Sequence, residues 1–340
     1  MKFKQSKIAV LVSLLLPLMV ISQTKRSDRN WAFTPSDAYS EYDKKFDFSK
    51  EMVDHLKKTK TVFFLKITKK DSFMVDSFRQ ALKKSWDLTE IIYDDIKNID
   101  KYAESYDYSY ILLGSQYEDK YGKNGPWGNY YLTLSMNIPK RSGAIVFAKI
   151  DISPNENLTA SIKDRSQGGF FNFTDHTSDI YTEIYNSVRK KWMPNFTPVS
   201  LMAQFGVVSE NIKKGYRPKH NYEDQVDNLQ QILSNDTLYI PQRMLKAYKA
   251  RGFQFEEIDL DEEVLSEYKY PYKICSDKEL YKYFVKENRG RYLFEFTQAG
   301  REKNVFVIDV KEKKYIYKSY QANKANPSLN EKDFKNICKK

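Results

Sequence analysis

Tyr108-Ser109-Tyr110-Ile111-Leu112-Leu113-Gly114-Ser115 is a short, uncharged run that ends in glycine. Such a run reads as a strand buried in the middle of a sheet. The first half of the chain reads as layers packed around it. Upstream, residues 61–67 (Thr-Val-Phe-Phe-Leu-Lys-Ile) form a second buried strand, and Ser49 can cap a helix that precedes it, with Met52, Val53 and Leu56 inward. A helix from Asp71 or Ser72 to about Trp86 comes next, because Met74, Val75, Phe78, Ala81, Leu82 and Trp86 keep the helical period. Residues 88–93 are a strand, and Ile96, Ile99 and Tyr102 fall in a short helix before the opening run. Downstream the period becomes two. Residues 129–138 alternate, Pro139, Ser142 and Gly143 turn the chain, and Ala144–Ile152 returns. Helices between the early strands favour crossovers and the late hairpin favours an antiparallel edge. The expectation is an α+β or α/β fold with a mixed sheet and helices mainly on one face.

The second half echoes the first. Residues 237–240 and 270–275 read as strands, Ser276 with Glu279 forms a capping box ahead of a helix over 280–287, and residues 291–296 (Arg-Tyr-Leu-Phe-Glu-Phe) are the counterpart of the opening run. Residues 305–310 and 315–320 make a strand pair, and a terminal helix over 333–339 is capped from Asn330. Ile91-Ile92-Tyr93-Asp94-Asp95, Ile99, Tyr102 and Tyr110-Ile111-Leu112 align loosely with Tyr272-Lys273-Ile274-Cys275-Ser276, Leu280, Tyr283 and Tyr292-Leu293-Phe294. A diverged internal duplication of two mixed sheets accounts for this, with residues 242–269 as an insertion. Any two small α/β units also look alike at this level. Between the halves, residues 153–175 are polar. A helix over 178–192 stops at Pro194, residues 195–221 are less regular, and a helix spans 222–233. The resulting organisation is an α/β domain over 46–195, a helical linker over 196–235 and a second α/β domain over 236–340.

The amino terminus directs the chain to a compartment. Lys2, Lys4 and Lys7 precede an apolar core over residues 8–21, and Ser22 leads into Gln23. These are the parts of a secretory signal peptide, with 1–22 removed and 23–45 left as an extended leader. The core is short for a membrane span, and no later segment is long and apolar enough for one. Export to the periplasm, the cell surface or beyond is the expectation. The formal charge of +11 falls to +8 without residues 1–22, which carry three lysines and no acids. Lysines spread among acids argue against nucleic acid as partner and leave weak attraction to an anionic surface. Cys275 and Cys338 are the two cysteines. Two buried free thiols is the default reading, and pairing in an oxidising compartment is the alternative.

No catalytic constellation stands out. The chain has no Gly-x-Ser-x-Gly elbow, no phosphate-cradling glycine loop and no His-Glu-x-x-His. His55, His176 and His220 are scattered and read as surface residues. No metal or cofactor is expected. The acids Glu256, Glu257, Asp259, Asp261, Glu262 and Glu263 lack the glycine and spacing of a calcium loop and read as a solvated run. The loop over 118–128 carries three glycines, Tyr121 and Trp127. Those two aromatics are the candidate partner-binding residues, set against the plainer reading that Trp127 folds back on a long hairpin.

Over residues 60–152, strand, helix, strand, short helix, the opening run with Leu112-Leu113-Gly114 and two long strands resemble a fold of bacterial envelope proteins. It is similar to the amino-terminal domain of the Tol-system propeller protein, the periplasmic domain of the curli-secretion channel, and the lipoprotein activators of penicillin-binding proteins. The resemblance implies a non-enzymatic role in binding envelope partners. This chain differs in lacking a lipoprotein cysteine and in carrying a second half. The function expected is an exported, non-catalytic binding or scaffold role through protein–protein contact. The alternatives are a hydrolase of glycan or peptide with carboxylates from both halves, and a binder of an anionic surface polymer.

Overall fold

The computed structural model describes residues 45–65, 72–102, 105–118, 127–137, 144–153, 194–219, 222–251, 254–299, 302–321 and 328–339. Strand β1 (Phe46–Asp47) leads into helix α1 (Lys50–Lys58), whose Ser49 cap accepts the Met52 amide. Then come β2 (Lys60–Leu65), α2 (Ser72–Ser85), β3 (Glu90–Asp95), a 3-10 turn over Ile96–Lys101, β4 (Tyr108–Glu118), β5 (Trp127–Asn137) and β6 (Ala144–Ile152). The sheet order is β3-β2-β4-β5-β6, so the opening run is the middle strand of five. Strand β2 is parallel to both β3 and β4, because a helical crossover follows each of β2 and β3; β4, β5 and β6 are antiparallel, as hairpins require. Val53 and Leu56 of α1, Phe78 and Leu82 of α2, and Ile111, Leu113, Leu132 and Leu134 of the sheet share one core.

After α3 (Pro198–Lys213) and β7 (Tyr216–Arg217), which pairs with β1, the second half begins. Its elements are β8 (Asp224–Gln225), α4 (Leu229–Asn235), β9 (Leu238–Pro241), a hairpin of β10 (Lys246–Arg251) and β11 (Gln254–Asp259), β12 (Tyr272–Cys275), α5 (Asp277–Leu280) continuing as a π turn over Tyr281–Lys286, β13 (Tyr292–Ala299), β14 (Glu302–Asp309), β15 (Lys314–Gln321) and α6 (Glu331–Ile337). The second sheet runs β12-β9-β13-β14-β15-β8. Its first five strands repeat the order and the sense of the first sheet: β9 is parallel to β12 and β13, and the last three are antiparallel. Even the register slip recurs, between Leu134 and Ser135 in the first sheet and between Val307 and Ile308 in the second. The crossover from β9 to β12 is where the halves differ. A helix, α2, makes it in the first half; the β10–β11 hairpin and the 3-10 turn over Glu262–Leu265 make it in the second. The acid run is split between that hairpin, where Glu256 stands opposite Lys249 and Asp259 opposite its ion-pair partner Lys246, and the 3-10 turn, which holds Glu262 and Glu263. The second sheet departs from the one-faced expectation. Helices α4 and α6 cover the face of Leu238, Phe294 and Val307, and α3 and α5 cover the face of Leu293, Phe306 and Ile308. Runs such as Val305-Phe306-Val307-Ile308, apolar at every position, need cover on both sides.

Helix α3 sits between the sheets. Leu201, Phe205 and Ile212 belong to the core of the first half, and Val199, Met202, Ala203 and Val207 belong to the cluster under the second sheet. Thr197 caps it by accepting the Ser200 amide, and Pro198 supplies a first-turn φ ready for helix. The stretch expected as less regular linker is thus a helix buried on almost every side. Further links join the halves. Lys313 from the β14–β15 turn lies 3.6 Å from the Asp87 carboxylate, which also accepts from Lys213 of α3, and Gln80 of α2 accepts from Tyr281 and Lys286.

Candidate functional site

Between the sheets, beside α3, opens a cleft with about 70 Å³ of free space. Strand β6 supplies Phe147, Lys149 and Asp151; α3 supplies Gln204 and Asn211; the chain after it supplies Arg217 and Lys219; and the second sheet supplies Thr297, Phe306, Tyr315 and Lys318. The strand period sets this composition. Lys149 and Asp151 are two apart on β6 and therefore share a face. Thr297, Phe306 and Lys318 likewise look toward one side of the second sheet, because Phe306 stands directly opposite Lys318 in the ladder and Thr297 is two residues past Glu295, its other neighbour.

The charges are arranged. Lys149 lies 3.5 Å from Asp151 and 5.1 Å from the centre of the Tyr131 ring. Arg217 donates to the Val146 carbonyl at 2.5 Å, and its guanidinium lies 5.5 Å over the Phe46 ring. Lys219 stands exposed at the rim. The Lys318 ammonium is 3.8 Å from the centre of the Tyr222 ring, with Phe306 and Tyr315 at 5.7 and 5.6 Å. Only 6% of Lys318 is exposed. Burial drives its pKa down to about 7, against the pull of Asp151 and Asp224. The Tyr315 hydroxyl donates to Gln204 at 2.7 Å, and burial raises its pKa well above the ordinary tyrosine value. At neutral pH both Tyr315 and Tyr131, which burial and Asp151 push up to about 12, are donors rather than anions.

A second cleft lies past the carboxyl ends of the parallel strands β9 and β12, lined by Arg243, Lys246, Asp259, Glu262, Ser276 and Asp277 among others. Arg243 is ion-paired with Asp277 there, while its Nε and Nη1 are buried without hydrogen-bond partners. Next to it, Glu295 is fully buried, and neither of its carboxyl oxygens has a partner. Burial lifts the Glu295 pKa to about 8, partly offset by the Ser200 hydroxyl and by Arg243. Glu295 lines neither cleft.

The residues marked in the sequence lie elsewhere. Tyr121, His176 and His220 fall outside the described residues, as do 1–44, which hold the signal-peptide reading. Trp127 opens β5 opposite Glu118. His55 is half-buried in α1. Cys275 and Cys338 are both free, as the default reading has it, with Cys275 buried and Cys338 half-buried. The alternation along β12 explains it: Ile274 faces the α6 side of the sheet, where Cys338 packs, and Cys275 points to the opposite face. Among the described residues no three His, Cys, Asp or Glu side chains group as metal ligands. The cleft residues carried no motif to find them by, since they come from separate stretches spread between residues 147 and 318. The one signal was charge inside apolar strand pattern, at Lys149 in Ala144–Ile152 and at Lys318 in Lys314–Gln321.

No family model matches the chain, and neither a curated protein nor a solved structure does.

Proposed function

We propose that this is an exported envelope protein that binds a partner without transforming it, and that the cleft between its two sheets is the place of contact. The cleft carries the reading: both halves and α3 build it, and its lining sets cations, hydroxyls, amides and rings, groups that hold a ligand, beside Asp151 and the aliphatic Ile150, Val207 and Val208. The order of strand, helix, strand, short helix, buried middle strand and long hairpin over residues 60–152 is the topology on which the envelope resemblance rests. No helix among the described residues is long and apolar enough to cross a membrane. Large apolar side chains exposed among the described residues are Tyr106, just before β4, and Tyr272 of β12, at 47% and 39%. Two separated tyrosines do not make a contact patch, which turns attention to the cleft. A hydrolase with paired carboxylates needs two facing acids, and Asp151 is the one acid in the lining among the described residues.

A photo-crosslinking amino acid placed at Asn211, in the cleft wall, tests the proposal in the native envelope. One recurring captured partner is expected. Capture of nothing, together with turnover of envelope glycan or peptide by the pure protein, would overturn it.

A further inference from the structure

The cleft's chemistry suggests what it holds. Lys149, Arg217, Lys219 and Lys318 reach it from β6, the chain after α3 and β15, and Asp151 is the one acid beside them among the described residues. Lys149 is engaged with Asp151 and Arg217 with a carbonyl, so both are fixed in place. Lys318 is held by the rings around it. Positioned cations with a positive sum, in a space shielded from bulk water, favour an anion, since the lowered dielectric strengthens each attraction. The free space, about 70 Å³, limits the ligand to a small one.

We propose that the cleft is an oxyanion site, which binds a small ligand through a phosphate, sulfate or carboxylate group held between Lys318 and the cations opposite. This rests on the binding role above and names the ligand's chemistry. Among the described residues, Lys318 faces Asp151 from the first sheet, Asp224 of β8, Tyr222 ahead of it, and Phe306 and Tyr315 from its own sheet. Burial outweighs the pull of these two carboxylates and lowers its pKa to about 7, so the ammonium loses its proton within the neutral range. A bound oxyanion adds negative charge beside that amine and raises its proton affinity. Binding therefore takes up a proton, and affinity weakens about tenfold between about pH 6 and pH 8. Lys219, exposed at the rim, adds long-range attraction that salt screens.

Calorimetric titration of the full chain with sodium sulfate tests this, because sulfate keeps its charge across that pH range; glycerol is the neutral control. The expected result is one sulfate site whose affinity falls with pH as stated, and no glycerol binding. Lys318→Met puts an apolar stem of similar length among the same rings and should keep the fold by circular dichroism. It should lose at least about tenfold in sulfate affinity and flatten the pH dependence. Lys219→Ala should weaken binding about threefold and reduce its salt dependence. Equal sulfate binding by Lys318→Met and the parent chain, glycerol binding as tight as sulfate, or no sulfate binding at about ten millimolar would each overturn the oxyanion site. If sulfate fails while the Asn211 crosslinker still captures a recurring partner, the binding role stands and the oxyanion site alone falls. If both fail, both fall.

Discussion

Glu295 stands in the middle of a sheet, fully buried, with neither carboxyl oxygen hydrogen-bonded. Free carboxyls of this type lose their proton near 4.5, whereas the folded chain keeps this one to about 8. The fold therefore binds the proton more tightly than the unfolded chain does. The contribution to stability is greatest below the unfolded pKa, falls as pH rises from about 4.5 to about 8, and then levels off. Glu295→Gln removes the titration while keeping the shape. Thermal melts should show the variant more stable than the parent above pH 8, by on the order of 2 kcal/mol, with little difference near pH 5. Equal melts at high pH would show that the carboxyl is not held protonated. Gly290 poses a steric question instead. A methyl group there would meet the buried Phe284 ring at 2.8 Å. Gly290→Ala should cost about 1–3 kcal/mol in denaturant unfolding, because the ring has no room to retreat. Neither effect was legible in the sequence. A glutamate at an alternating strand position and a glycine after a helix both look ordinary until their neighbours are known.

The elements differ in how plainly their residues announced them. Ala144–Ile152 formed with the bounds expected, α1 and α6 took the Ser49 and Asn330 caps read from the sequence, and the Ser276–Glu279 capping box is present. Each carries a local signature: alternation, a cap or a turn. Helix α3 was missed because it is apolar nearly all round and has no amphipathic period to detect. Its usable signal was Thr197-Pro198, a cap followed by proline at the first helical position. The helix expected over 222–233 came out as β8 and then α4, since a two-residue pairing with β15 claims its first turn. Phe205 of α3 packs edge-on against Trp86 with ring centres 5.8 Å apart. Phe205→Ala should cost about 3–5 kcal/mol by chemical denaturation, and a loss under about 1 kcal/mol would contradict the central placement of the helix. Asp87, just beyond α2, is a smaller joint. Burial opposes its charge, but the hydrogen bonds from Lys213 and Ser209 outweigh that and hold it down to about 2. Its stabilisation is present above the unfolded value of 3.8 and disappears as pH falls through about 2. Half of the Asp87 side chain is exposed. Asp87→Asn should therefore cost only about 1 kcal/mol at neutral pH, and nothing below pH 2.

At the scale of the whole molecule, α3 makes the two sheets interdependent. It contributes to the core of the first half and to the cluster under the second sheet at once. Calorimetry of the full chain should give one cooperative transition, and residues 236–340 expressed alone should lack a sharp melt. Two separated transitions would show halves that fold independently. The sequence by itself determined most strands, the caps, the mixed α+β class and the likeness between the halves, because alternation, capping and turn chemistry act over a few residues. Only the tertiary structure decided that the second sheet is covered on both faces, that Cys275 and Cys338 stand on opposite sides of it, and that a helix without a polar face ties the halves together. It also gathered Lys149, Arg217, Lys219 and Lys318 around one cleft. Those placements depend on which faces meet across long stretches of chain, and burial, dielectric and charge at a point are set by neighbours that no local pattern names.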